Sequence, residues 1–110
     1  MATGRLGTAN ITTTSNTTVY GPVAAATFAV VSVNVVNRSS SATALIKIAV
    51  STSASPGLDE WIEFESSLVA NGVLERTGIV MKTGELIVVQ TPTATPALSV
   101  VVYGIETSTA

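Results

Sequence analysis

Four carboxylates crowd into seven residues of this chain: Asp59, Glu60, Glu63 and Glu65. Such a run could hold a hard cation, because calcium takes about 6–8 oxygen ligands. It could also supply the acid and the base or nucleophile of a glycosidase. Read as a strand, Asp59 to Glu65 puts Glu60, Ile62 and Phe64 on one side and Trp61, Glu63 and Glu65 on the other. Glu63 and Glu65 then share a face, with Cα atoms ~7 Å apart. The run lacks the Asp-x-Asp-x-Asp-Gly spacing of a calcium loop. The plainer expectation is a solvated edge strand whose charges discourage pairing with another chain.

Trp61 stands among these acids. An exposed Trp can stack on a sugar ring or anchor a protein interface, and a half-buried one simply covers a sheet. Phe28 and Phe64 are expected in the core. Ser and Thr together number 29, yet the chain has no His and no Cys, and no Lys reads as a plausible base for a hydroxyl. Asn71-Gly72 and Thr83-Gly84 read as turns, not as phosphate cradles. No catalytic, metal or cofactor site is expected, and the chain does not read as an enzyme.

At 110 residues there is room for one domain with a real core. The net charge is -2, and the bases Arg5, Arg38, Lys47, Arg76 and Lys82 are scattered, so no nucleic-acid partner is expected. Met1 to Arg5 lacks the apolar run of a secretory signal. The stretch Val23 to Val36 is too short and too interrupted for a membrane helix, so no membrane partner is expected.

The elements that must position these residues read as strands. Thr27 to Asn37 is Val-rich on both faces and suits a central strand. Thr43 to Ser51 alternates, with Lys47 on the wetter face. These two read as an antiparallel hairpin. A loop follows at Ser53 to Gly57, then the acidic strand, then the Asn71-Gly72 turn. Gly78 to Met81 and Leu86 to Gln90 read as a hairpin around Thr83-Gly84. Leu98 to Ile105 is the last strand. The fold class is all-β: a single antiparallel β-sandwich, jelly-roll-like, of about seven or eight strands. Strand spacing alone leaves an immunoglobulin-like Greek key open. Residues 1–18 read as an extended N-terminal arm with one short strand around Leu6 to Ile11, 19–106 as the sandwich domain and 107–110 as a C-terminal tail. Apolar residues make up 46% of the chain and fall on both faces of several strands. A small sandwich covers only its inner faces, so the surplus must lie under loops or against another subunit.

Several segments occur together in order. They are Arg5-Leu6-Gly7, Val19-Tyr20, Val33-Asn34-Val35-Val36-Asn37-Arg38, Ile48-Ala49-Val50-Ser51, Trp61-Ile62-Glu63-Phe64, Asn71 to Gly78 and Val102-Tyr103-Gly104-Ile105-Glu106. In these the chain resembles small β-rich virion structural proteins of tailed bacteriophages, notably marine cyanophages. The resemblance implies a non-enzymatic β-sandwich subunit, made in the host cytoplasm and carried on the virion. The leading expectation is a capsid decoration (cement) protein that binds the outer shell. Its partners would be the major capsid protein or other virion proteins and further copies of itself, a homotrimer being favoured. A tail, neck or fibre component is the second expectation and a carbohydrate-binding module the third. Arg5, Leu6, Ile11 and Trp61 are the candidate interface residues.

Overall fold

The computed structural model describes residues 2–109. Eight strands form: β1 (Thr3–Ile11), β2 (Thr17–Tyr20), β3 (Thr27–Asn37), β4 (Ala44–Ser51), β5 (Trp61–Leu68), β6 (Val73–Met81), β7 (Leu86–Gln90) and β8 (Leu98–Ser108). They build two four-stranded antiparallel sheets. Sheet A has the order β1-β8-β3-β6 and sheet B the order β2-β7-β4-β5. This is the strand order of a jelly roll, so the immunoglobulin-like alternative falls away.

The core follows from period-2 alternation. Along β3, Ala29, Val31, Val33 and Val35 point inward and are buried, while Phe28, Val30, Ser32, Asn34 and Val36 are only half-covered. Val100 and Val102 of β8 join them from sheet A. Ile46 and Ile48 of β4 with Ile87 and Val89 of β7 meet them from sheet B. Branched side chains pack well on a pleated surface, and β3 lies inside its sheet as its pattern predicts.

The two expected hairpins do not form. β3 lies in sheet A and β4 in sheet B; β6 and β7 are likewise split. The turn at Thr83-Gly84 is real: Glu85 N–H donates to the Lys82 carbonyl at 3.2 Å, and Gly84 takes φ +90°. It carries the chain between sheets instead of back along one sheet. A short polar connection reads alike in both cases, because it does not record which sheet the next strand joins. Only β4 and β5 are sequential neighbours that pair.

The ends also differ from expectation. The short strand expected at Leu6 to Ile11 starts earlier, at Thr3, and pairs with β8 from Thr3↔Ile105 to Ile11↔Leu98, with Ile11 buried in the core. At the other end β8 runs to Ser108, and Thr109 N–H donates to the Ala26 carbonyl at 2.8 Å. Residues 107–109 of the expected tail therefore belong to the sandwich, and Ala110 lies outside the described residues. The polarity of both ends masked this, since an edge strand needs only one apolar face. Glu106 fastens these ends together. It accepts from the Tyr20 hydroxyl and from the Ala2 N–H. Burial, helped by the Glu106 carboxylate, pushes the Tyr20 hydroxyl far above its ordinary range, so it stays a donor.

Asn37 closes the opposite end of β3. Its buried Nδ2 donates to the carbonyls of Ala42 (2.9 Å), Leu68 (3.1 Å) and Val69 (3.2 Å), and its Oδ1 accepts from Ser39 N–H at 3.1 Å. One side chain thus satisfies backbone groups of the β3–β4 loop and of the end of β5.

Candidate functional site

β5 is an edge strand of sheet B, as expected for the acidic strand. Its register slips twice against β4, between Ile46 and Ile48 and between Ile48 and Ala49. Glu65 sits in the left-handed region at φ +56°. These bulges break the simple alternation. Trp61 and Phe64, expected on opposite faces, meet edge to face with ring centroids 6.0 Å apart. Phe64 is therefore an exposed residue and not a core one.

The four carboxylates do not converge. Glu60 accepts from Gly57 N–H at 2.7 Å and from the Ser51 hydroxyl at 2.9 Å, which lowers its pKa. Glu63 accepts from the Ser66 hydroxyl and from Arg76, and that hydroxyl first, then Arg76, lowers its pKa. Among the described residues no group of acids could hold a metal ion. Arg76 also donates to the Ile62 carbonyl at 2.7 Å. Arg76 belongs to β6, one edge of sheet A, so it ties this edge to the β5 edge of sheet B.

This tie makes stability depend on acid. The folded pKa of Glu63 lies below its unfolded value, so its contribution is complete above about pH 4.5 and is lost as pH falls through the folded pKa. Arg76 is partly exposed, so solvent holds the effect to about 1 kcal/mol or less. Glu63→Gln is expected to flatten the acid side of the pH–stability curve. Urea midpoints at neutral pH and below about pH 4 check this, and equal slopes in wild type and variant would refute it.

Trp61 covers the outer face of sheet B, against Ala49, Leu86 and Val88. Lys47 Nζ lies 4.4 Å from the ring centroids of both Trp61 and Phe64. A cation so placed is held by the ring quadrupoles. It also occupies the aromatic faces that a sugar ring would need. The apolar surplus of sheet B is thus hidden largely within the subunit.

Sheet A is different. On its outer face Ile105 of β8 pairs with Val30 of β3, and Val30 with Val80 of β6. Val80 is 70% exposed and Ile105 46%. Val73 and Tyr103 lie on the same face and are exposed too. Of the four residues expected at an interface, Arg5 is exposed on this face, opposite Tyr103. Leu6 packs against the core, Ile11 lies inside it, and Trp61 is half-buried on sheet B. Val80 and Ile105 are not singled out by the sequence pattern. Each sits in an apolar run, and only the cross-strand register lines them up.

A cleft of ≈ 210 Å³ opens between the β3–β4 and β7–β8 loops. Small and hydroxyl side chains such as Ser39, Ser41, Thr43, Thr93 and Thr95 line it, with no aromatic or titratable group. No family model, curated protein or solved structure matches this chain.

Proposed function

We propose that this chain is a non-enzymatic structural subunit of a phage virion. In this reading it is a capsid decoration protein that sits on the outer shell, as a homotrimer, and holds neighbouring major capsid subunits together. One observation carries the reading: the uncovered apolar row Ile105–Val30–Val80 on the outer face of sheet A. A sheet face that stays apolar after its own core is complete is a surface for another protein. The resemblance of the segments between Arg5 and Glu106 to virion structural proteins supplies the setting. The jelly roll is compatible with it, since capsid domains use this fold, but lectins use it too. The Lys47 cation over Trp61 and Phe64 weighs against the lectin use.

Gold-tagged antibody against the protein, applied to purified virions and imaged, tests the reading. Label over the head facets is the expected result. Label confined to the tail or neck would move the protein to a tail, neck or fibre part. Virions without label would overturn the proposal. Deleting residues 1–14 is a poor binding test, because it removes an edge strand of sheet A.

A further inference from the structure

We infer that Asn71-Gly72, at the tip of the β5–β6 turn, is a site of spontaneous deamidation that the fold holds shut and that converts when this turn opens. The chemistry is independent of the virion reading.

Of the five Asn residues, Asn71 alone precedes a glycine. Asn10, Asn16, Asn34 and Asn37 are followed by Ile11, Thr17, Val35 and Arg38, whose side chains crowd the next backbone nitrogen. Glycine has no Cβ to do so. The Asn71 side chain is also exposed, and among the described residues its amide has no hydrogen-bond partner.

The reaction uses the chain's own atoms and water. The Gly72 nitrogen bonds to Asn71 Cγ, and the Cγ–Nδ2 bond breaks. The Gly72 proton leaves with Nδ2 as ammonia, and a cyclic imide remains. Water then opens the imide at either carbonyl. Opening at Cγ leaves an aspartate. Opening at the former main-chain carbonyl leaves an isoaspartate, whose backbone runs through Cβ and is one carbon longer.

Both residues have structural reasons to be here. Gly72 N–H donates to the Val69 carbonyl at 2.9 Å and closes a four-residue turn. Asn71 is third in that turn with φ +59°, a conformation that Asn tolerates better than most residues. A Cβ on Gly72 would lie 2.8 Å from the Val69 carbonyl oxygen and 2.9 Å from Val69 Cγ2. The turn geometry thus selects the labile pair.

The same geometry blocks ring closure. To react, the Gly72 nitrogen must give up its proton and turn toward Asn71 Cγ. Its N–H is held by Val69, and its carbonyl accepts from Asn37 N–H at 2.9 Å. On the other side Asn71 N–H donates to the Ser39 carbonyl at 3.0 Å. The pair is fixed at both ends, so it reacts from a locally opened state. Once isoaspartate forms, the added backbone carbon moves Gly72 off Val69 and Asn37, and the turn cannot reclose as before.

Incubation of the full chain in mildly alkaline buffer, folded and in guanidinium chloride above its unfolding transition, tests the inference. Trypsin cuts after Lys47 and Arg76 and releases residues 48–76, in which Asn71 is the one Asn. Mass spectrometry reads the change of amide to acid there, and labelling by an isoaspartate methyltransferase reads the isoaspartate share. The unfolded chain is expected to convert at Asn71 ahead of every other Asn, and the folded chain at least ~10-fold more slowly. Asn71→Gly accepts the same φ and is expected to show neither signal in this peptide. The isoaspartate form, separated and refolded, is expected to melt below the unmodified chain. Equal rates in folded and unfolded chains, or an unfolded chain that stays intact at Asn71, would overturn the inference. So would isoaspartate in residues 48–76 of Asn71→Gly, which would place the reaction at Asp59, or an isoaspartate form that melts like the unmodified chain.

Discussion

Asn37→Ala is expected to cost about 3 kcal/mol or more, because each buried polar group stripped of its partner costs roughly 1–3 kcal/mol. The change removes one side chain and strands several backbone groups at once. The carbonyls of Ala42 and Leu68 lose this donor and Ser39 N–H loses its acceptor, while the Val69 carbonyl keeps the Gly72 N–H. Asn37 is 1% exposed, so water cannot readily replace it. The effect should appear as a drop in melting temperature on the order of 10–20 °C. Asn37→Asp separates the causes: its carboxylate can still accept from Ser39 but cannot donate to three carbonyls. It is expected to be at least as damaging at neutral pH, with an ionised group now buried as well. A melting temperature unchanged by Asn37→Ala would show that the loops satisfy themselves.

Gly104→Ala is the second large effect. A Cβ at this position would lie 2.1 Å from the Val30 carbonyl oxygen and 2.8 Å from Val31 Cα. Those atoms are backbone of the neighbouring strand, not the tip of a side chain that can swing away. β3 and β8 are the two inner strands of sheet A and pair along their whole length. Moving them apart breaks the ladder that both edge strands depend on. The expected cost is several kcal/mol, in the range where few single changes fall, and a soluble folded product in poor yield or none. Gly78→Ala is the control. Gly78 has φ +68° and lies opposite Ser32 in a bulge of β6, with nothing within 4 Å of an added Cβ. It is expected to cost only about 1 kcal/mol, the price of a left-handed non-glycine residue. Urea unfolding of both variants decides the matter: similar midpoints would mean that the clash at Gly104 relaxes.

Much of the fold was legible in the residues. The alternating Val and Ile of β3 and β4, the turns at Asn71-Gly72 and Thr83-Gly84, and the central place of β3 all follow from side-chain period and turn chemistry. Pairing was not legible. Whether β4 returns beside β3 or crosses to the facing sheet depends on contacts far along the chain, and the local pattern is the same either way. The ends were misjudged for a related reason. Thr3 to Asn10 offers little apolar signal, because one side of an edge strand faces water and its inner side is built from Leu6, Ala9 and glycine. The β5 side was half legible. Its acids and Trp61 drew attention, but two bulges and a left-handed Glu65 rearranged which residues meet. The exposed row of sheet A needed three strands from different parts of the chain in register before it existed at all.

The partner of β1 has a consequence for synthesis. Among these eight strands β1 is made before all the others, yet its one strand partner is β8, made after all the others. Until Leu98 to Ser108 emerge, sheet A can be no more than β3 against β6, with its most buried seam open. Non-local pairing of this kind is slow, because the loop between partners must close before any contact rewards it. A chain lacking β8 therefore cannot complete sheet A. The inner seam of sheet A, and the outer face that depends on it, exist only once β8 has joined β3.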